Sequence, residues 1–370
     1  MDVEATGNKG EWSEPYVLLR LLADGKLAQG LPDLSESDEA PYRVIAANRR
    51  EKIDGKAISK LYNVEGDNVS IVVDGVNCGT VSIDDFAEHA GRLFNEILQS
   101  SGASFSVSEQ VSRFLSSIQC NKITADSADK TDINVVIHDH FTGANPNLGF
   151  SVKSQLGQAS TLINASKDNT NFRYQLKGEI DSSLAKEINS ISPRTGKIQA
   201  RIEELARRGV TLNFDRVVGD VYFNNLLLLD SDLAEILSNC LSHYYSGQGA
   251  RLGDIVEDLS TSNPLDYPEV GSYPYYELKL KKFLTESALG MMPKTPWTGI
   301  YNATGGYVVV KSDGRLVSYH LLKKNLFEGY LLSNVKFDTP SSSRHKFGEV
   351  YFDETGQAMF NLNLQVRFLQ

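Results

Sequence analysis

The sequence predicts a mixed α+β fold (α/β class), and three observations lead to this prediction. Apolar residues recur at helical spacing over 9–23 and 83–99. Residues 132–139 and 148–154 instead alternate between apolar and polar side chains, as half-buried strands do. Further along, Ser312-Asp313-Gly314 lies between two apolar runs and signals a β-hairpin.

The composition is that of an ordinary globular protein, since 41% of the 370 residues are hydrophobic and 23% are charged. No apolar run approaches the roughly 18 residues of a membrane span. Residues 1–15 carry charges and no apolar stretch of the kind found in signal peptides, so a secretory signal is not expected. Three widely separated cysteines predict neither disulfides nor a zinc site, so we expect a cytoplasmic location. A net charge of -10 argues against a protein that coats nucleic acid nonspecifically. It does not exclude a protein that binds nucleic acid through a local basic cleft.

The first element is a helix over 9–23, which Gly25 is expected to end. Pro15 leaves two alternatives for its start: Ser13, with the proline in the first turn, or near Asn8, with a kink. The apolar positions that predict the helix are Trp12, Tyr16, Leu19 and Leu22.

The other elements follow from the same periodicities. An acidic stretch at 33–39 is expected to be an exposed loop, and 83–99 an amphipathic helix with Phe86, Ala90, Leu93, Phe94 and Leu98 on one side. Further helices are predicted over 107–119, 195–208, 221–246 and 274–291, and strands over 42–47, 68–75, 307–311, 315–320, 347–352 and 357–368. In the helix over 195–208, the side chains of Arg201, Arg207 and Arg208 are expected on a solvated face. A domain boundary is expected somewhere within 180–270. We divide the chain into a first region at 1–180 and a helical and β-hairpin (α+β) region at 181–370.

The most informative segment is the pair of strands around residues 142–147, which are rich in turn formers. If the apolar faces of the two strands are aligned in the core, Asp132, Ser151 and Lys153 meet on the polar side. A carboxylate and a lysine on neighbouring strands suit phosphodiester hydrolysis. The carboxylate binds Mg²⁺, and the lysine supplies positive charge beside the attacked phosphate.

This arrangement resembles the PD-(D/E)xK nucleases, whose core is a mixed sheet flanked by helices. One position departs from the pattern: Ser151 stands where a second acid is expected. The missing carboxylate must then come from elsewhere, and Glu14 and Glu11 are both candidates. Gly10-x-x-x-Glu14 matches the GxxxE element that related nucleases carry on the neighbouring helix, which favours Glu14.

Longer blocks make the resemblance more specific, and they resemble the HpaII family of type II restriction endonucleases. The blocks are 7–14 (GNKGEWSE), 21–27 (LLADGKL), 149–166 (GFSVKSQLGQASTLINAS), 170–172 (TNF), 288–293 (ALGMMP), 303–307 (ATGGY), 337–348 (FDTPSSSRHKFG) and 362–368 (LNLQVRF). The resemblance implies Mg²⁺-dependent double-strand cleavage of a short palindrome such as CCGG, with a companion methyltransferase protecting the host DNA. With it, the region 1–180 is expected to be the nuclease core, and the region 181–370 is expected to contribute DNA recognition.

Carried over residue by residue, the resemblance makes Asp132 a metal ligand and Lys153 the catalytic lysine. Ser151 takes the middle-acid position, and Glu14 is the supplementary acid and second metal ligand. Gln155 shares the parity of Lys153, and it either contacts the scissile phosphate or forms a structural hydrogen bond.

Two polar segments are candidates for DNA contact. The first is Ser341–Lys346, in which Arg344 suits a guanine edge, whereas Ser342, Ser343, His345 and Lys346 suit phosphates. Its alternative is a solvated, serine-rich connection. The second comprises Ser160, Thr161, Asn164 and Ser166, which could equally cap turns or helices.

Two other functions remain open: a nuclease that requires methylated DNA, and a DNA-binding module with a degenerate nuclease core, which Ser151 would explain. Cutting a palindrome on double-stranded DNA also favours two active sites, and therefore a permanent or transient homodimer.

Overall fold

The protein is described by a computed structural model, which covers residues 5–125, 131–140, 142–269, 271–301 and 304–369. It has the predicted mixed α+β fold. The helices are α1 (Lys9–Asp24), α2 (Ile83–Gln99), α3 (Glu109–Ser117), α4 (Ser182–Ser190), α5 (Lys197–Arg207), α6 (Asp220–Leu229), α7 (Leu233–Tyr245), α8 (Leu252–Ser262), α9 (Tyr275–Leu289), α10 (Lys324–Ser333) and α11 (Ser342–His345). None of the described helices is long and apolar enough to cross a membrane.

The strands belong to three sheets. They are β1 (Lys26–Gln29), β2 (Tyr42–Ile53), β3 (Lys56–Glu65), β4 (Asn68–Val73), β5 (Val76–Ser82), β6 (Ile133–His138), β7 (Asn147–Ser154), β8 (Thr161–Ile163), β9 (Asn171–Lys177), β10 (Thr211–Val217), β11 (Gly306–Val310), β12 (Leu316–Tyr319), β13 (Val335–Phe337), β14 (Val350–Phe352), β15 (Ala358–Asn363) and β16 (Val366–Phe368).

One compact unit comprises residues 1–160 and 301–330. Its sheet has the order β1-β12-β11-β7-β6-β2-β3-β4-β5. The sheet is mixed, because β7 runs antiparallel to β6 and parallel to β11. Helix α1 packs its apolar side into the core of this unit, where Trp12 and Leu19 share one buried cluster with Ile133 and Phe150.

Helix α1 begins near Asn8, which confirms one of the two predicted starts and places Pro15 inside the helix. The Asn8 side chain accepts the backbone N–H of Glu11, and the Glu11 carboxylate accepts that of Asn8. Gly25 ends the helix at a φ of 59°, a left-handed conformation that glycine adopts without a Cβ penalty.

Several other predictions for this unit are confirmed, and some are wrong. Helix α2 has the predicted bounds, but Leu98 is 45% exposed and Ile97 lies in the core in its place. Strand β2 continues six residues beyond the predicted end at 47. The sequence does not predict strands β3 and β5. Apolar and polar residues alternate only weakly in β5, and β3 carries a lysine at a buried position.

A second compact unit comprises residues 161–300 and 331–369. It contains a sheet of order β10-β9-β15-β14 and another of order β13-β16-β8. The predicted hairpin around 353–356 is present as β14 and β15, which pair antiparallel. The hairpin around 312–314, β11 and β12, is also present but belongs to the first unit.

The helix predicted over 221–246 is wrong, since it is two helices, α6 and α7. The chain becomes extended at Asp230, and the Lys279 ammonium on α9 contacts Asp230 at 2.6 Å and Asp232 at 2.9 Å. Helix α8 was not predicted. A third correction concerns Arg201, which was expected on a solvated face. It is 2% exposed and donates to the carbonyls of Ile191, Asn189 and Gly348.

Candidate active site

Asp132 lies directly before β6, and its carboxylate is held against the neighbouring strand β7. The pairing of Ile133 with Phe150 sets the register, and the Asp132 N–H donates to the Phe150 carbonyl at 2.9 Å. The Val152 N–H in turn donates to Asp132 Oδ2 at 2.6 Å. The backbone pairing therefore fixes the position of Asp132, and the Val152 N–H orients its carboxylate beside the part of β7 that carries Lys153.

Lys153 is half-buried on β7, and its ammonium lies 4.7 Å from the ring centre of Tyr307 on the parallel strand β11. An ammonium over a tyrosine ring gains cation–π stabilisation. Burial lowers the pKa of Lys153, whereas the negative charges of Asp132 and Glu14 raise it. The lysine therefore interacts electrostatically with both predicted acids.

Glu14 projects from α1, and its side chain is only 14% exposed. Its Oε2 accepts the Ala125 N–H at 2.8 Å and lies 3.5 Å from an Nη of Arg49. Burial and the charge of Asp132 raise the Glu14 pKa to about 8, although Arg49 acts in the opposite direction. Asp132 also has a raised pKa, because desolvation outweighs the Val152 hydrogen bond and the Lys153 charge. Glu14, Asp132 and Lys153 thus form one electrostatically connected group.

Glu11, the other acidic residue that the sequence offers for the site, has a structural role instead. The Glu11 carboxylate is bonded to the Asn8 N–H at 2.7 Å and caps the start of α1. Helix α1 is additionally linked to the hairpin, because the hydroxyls of Ser13 and Ser154 lie 2.8 Å apart. This link helps to hold Glu14 beside β7.

Ser151 and Gln155 lie on the same strand segment as Lys153. Ser151 pairs with Tyr307 in the β7–β11 register, and its hydroxyl cannot supply a negative charge. The Gln155 N–H donates to the Val310 carbonyl at 2.9 Å, and its side-chain oxygen accepts the Ser312 N–H at 3.2 Å. These contacts favour the structural alternative for Gln155, because they fix it to the turn between β11 and β12.

Glu14 and Asp132 are the two side chains that could hold a divalent metal ion. The two carboxylates are close enough for one charge to raise the pKa of the other, and a cation would relieve that repulsion. Oxygen donors of this kind suit Mg²⁺, which often uses one or two carboxylates together with substrate phosphate. In the described part of the chain no group of three or more His, Cys, Asp and Glu side chains could hold a metal.

Sequence reasoning missed Arg49 and Tyr307. Arg49 is 1% exposed on β2, and Tyr307 is 2% exposed on β11. One feature of the sequence indicates Arg49. It lies two residues after the buried Ala47 and therefore faces the same side of the sheet, where a charged side chain is unusual. Nothing local to Tyr307 indicates that Lys153 lies over its ring.

The predicted DNA-contact block forms the short helix α11, which Ser341 caps. The side chains of Ser343, Arg344 and Lys346 are exposed, and those of Ser342 and His345 are half-buried. The carbonyls of His345 and Lys346 accept the amide of Asn171 at 3.0 and 3.5 Å, so the backbone of the block is anchored.

A cavity of about 510 Å³ adjoins this block in the same unit. Ser342 and Thr339 line it together with Arg194, Lys197 and Tyr244, and among the described residues no carboxylate lines it. Neither Arg194 nor Lys197 forms an ion pair with a described residue. The block therefore adjoins a positively charged surface.

The second polar segment has mixed surroundings. Ser160 and Thr161 are half-buried, with Thr161 at the start of β8, and Asn164 is exposed. The contacts of Ser166 favour the alternative role, the capping of a turn. Its N–H donates to the Thr170 hydroxyl at 2.8 Å, and its carbonyl accepts from the same hydroxyl at 3.1 Å.

Comparison with known proteins identifies the class. The model of a family described as HpaII restriction endonuclease matches residues 8–368, nearly the whole chain. This protein is a type II restriction endonuclease, a site-specific enzyme that cleaves DNA.

The particular family follows from the same match and from one close relative. The type II restriction enzyme HpaII of Haemophilus parainfluenzae is 42% identical over 366 residues, which are 98% of this chain and 99% of that protein. The chain belongs to the HpaII restriction endonuclease family. No solved structure matches it.

Proposed function

We propose that the enzyme hydrolyses both strands of DNA at a short palindrome, CCGG or a close variant, with Mg²⁺ as the metal ion. The observation that carries this proposal is the convergence of Glu14, Asp132 and Lys153 at one end of β7. The relative's printed name, a type II restriction enzyme, supports the reaction class. The palindrome comes from the family resemblance.

In this proposal Glu14 and Asp132 hold the ion. Mg²⁺, when bound, supplies a Lewis acid for the phosphate and lowers the pKa of water. The chain's own groups do the rest. The Val152 N–H fixes the orientation of Asp132, and Lys153 places a positive charge where negative charge develops on the phosphate during attack. The ring of Tyr307 lies against that ammonium and excludes water from one side of it.

Ser151 does not leave this site short of acids, since Glu14 supplies the carboxylate that the strand lacks. The reason for suspecting a degenerate, binding-only module is therefore weakened. Among the described residues no contact favours a requirement for methylated DNA. A homodimer, a companion methyltransferase and a cytoplasmic location remain predictions from the sequence and the family.

Sequence readout is assigned to Arg344 of α11, and phosphate contact to the neighbouring serines, His345 and Lys346. Arg194 and Lys197 extend the phosphate-binding surface around the cavity beside Ser342. Such a surface is needed because the whole chain has a net charge of -10 and would otherwise repel DNA. Ser160, Thr161 and Asn164 are proposed as further backbone contacts.

The test is cleavage of methylated and unmethylated plasmid DNA, with and without Mg²⁺, followed by sequencing of the ends. Lys153→Ala and Asp132→Ala should abolish cleavage and retain specific binding in Ca²⁺. Lys56→Ala and Asp84→Ala, which change exposed side chains, serve as controls. Cleavage near the wild-type rate by either site variant, or undiminished activity in excess chelator, would refute the assignment.

A further inference from the structure

Three charged side chains are buried in the first unit behind the candidate active site. Arg49 and Glu51 on β2 are 1% and 0% exposed, and Lys60 on β3 is 1% exposed. Arg49 pairs with Lys60 in the strand register, so two like charges face each other. Glu51 lies within reach of both: it bonds to the Lys60 ammonium and lies 4.0 Å from Arg49 Nε.

Arg49 connects this buried group to the site. One Nη donates to the Ile123 carbonyl and lies 3.5 Å from Glu14 Oε2, and the other donates to Cys120 Sγ at 3.1 Å. The same Glu14 oxygen accepts the Ala125 N–H at 2.8 Å. Two donors from different parts of the chain therefore fix one carboxylate oxygen.

The buried charges also hold the segment 119–125, which follows α3. Lys60 donates to the Gln119 carbonyl, and the Asn121 N–H donates to Glu51 Oε2 at 3.1 Å. Together with the contacts of Arg49 and Glu14, these bonds fix the segment at both ends. Its Ala125 N–H is thereby brought to Glu14.

We propose that Arg49 is a positioning residue for cleavage, which holds the Glu14 carboxylate beside Asp132, while Glu51 supplies the buried counter-charge to Arg49 and Lys60 balances Glu51. The inference rests on the proposed role of Glu14 as a metal ligand. Partners that orient metal ligands typically contribute about 10–100-fold to metal affinity or activity. A buried ion network is by contrast a poor source of stability, because desolvation offsets the attraction. Positioning therefore explains the network better than stability does.

The test compares Arg49→Lys and Arg49→Met with Arg50→Met, which changes the next, exposed residue of β2. We expect both Arg49 variants to need about tenfold or more Mg²⁺ for half-maximal cleavage, with Arg49→Lys the less affected because it retains the cation. Direct Mn²⁺ binding, followed by loss of the free-ion electron paramagnetic resonance signal, should weaken by a similar factor. Arg50→Met should match the wild type in both measurements.

Arg49→Met removes the cation beside Glu14 and leaves Glu51 with Lys60 alone, which is a severe change to a buried network, so the milder Arg49→Lys decides the question. A folded Arg49→Lys enzyme with wild-type metal dependence in both assays overturns the proposal. A lower thermal midpoint without a change in metal dependence also overturns it, since it indicates a purely structural role. The Asp132→Ala variant distinguishes failure of the proposed function from failure of this inference alone. If it still cuts, the proposed function fails, whereas if it loses metal binding and Arg49→Lys does not, only this inference fails.

Discussion

Replacing Glu14 with glutamine should stabilise the protein progressively as the pH rises, while removing a metal ligand. In the folded protein the Glu14 carboxyl has its pKa raised from 4.5 to about 8, chiefly by burial and then by the charge of Asp132. The unfolded chain releases this proton near pH 4.5, so the wild type loses stability as the pH rises toward 8. The glutamine variant has no such proton. At about 1.4 kcal/mol per pH unit, and allowing for partial ionisation at the upper end, its advantage grows by roughly 3 kcal/mol between pH 5.5 and 8.0.

Urea unfolding in chelator at these two pH values measures the difference. Trp12 is fully buried in the same unit as Glu14, and its fluorescence in a Trp297→Phe background reports the unfolding of that unit. Glu88→Gln, at an exposed position of α2, is the matched control and should show a constant difference from the wild type. Mg²⁺ should then stabilise the wild type more than Glu14→Gln at pH 8.0. A difference between Glu14→Gln and the wild type that does not change with pH would refute the reasoning, because it would mean that Arg49 and Ala125 keep Glu14 ionised throughout.

Two further predictions concern DNA contact. Arg344→Ala should relax sequence choice and cost about 1–3 kcal/mol in specific binding if Arg344 makes a bidentate base contact; an unchanged cleavage pattern and affinity would exclude a reading role. Lys197→Gln and Arg194→Gln should each weaken binding to all sequences alike and reduce the slope of log affinity against log salt by about 1. Lys186→Gln, an exposed lysine of α4, is their control, and equal slopes in all three variants would remove Arg194 and Lys197 from the DNA surface.

Much of the fold could be predicted because local signals were strong. The alternation of Ile133, Val135 and Ile137 correctly predicted the buried face of β6, and the turn residues at 312–314 and 353–356 correctly predicted two hairpins. The failures share a cause: they depend on distant partners. The break at Asp230 is stabilised by Lys279, and Arg201 is buried because carbonyls of Asn189 and Gly348 accept its N–H groups. No local pattern contains those contacts.

The candidate site was predictable to a similar degree. Strand parity predicted that Asp132 lies on the same side as Lys153. Helix spacing alone offered both Glu14 and Glu11, and only the match to the GxxxE element favoured Glu14. The capping bond between Glu11 and Asn8 makes that distinction, since it gives the Glu11 carboxylate a structural use. Arg49 escaped detection because the partners that connect it to the site, Glu14 and Ile123, lie 35 and 74 residues away along the chain.

If Glu14 is the second acid, as proposed, its location on a helix explains why buried charges accumulate here. A carboxylate at position 151 would be oriented by the strands on either side of β7, since its backbone is fixed by the sheet. Glutamate on a helix instead has a long side chain whose ordering costs about 1.5–2 kcal/mol, so it needs donors of its own. Arg49 and the Ala125 N–H provide them, but a buried guanidinium requires a counter-charge, which Glu51 supplies and Lys60 balances. Supplying the acid from a helix rather than from the strand therefore accounts for Arg49, Glu51 and Lys60 together, and for the fixed segment that joins them to Glu14.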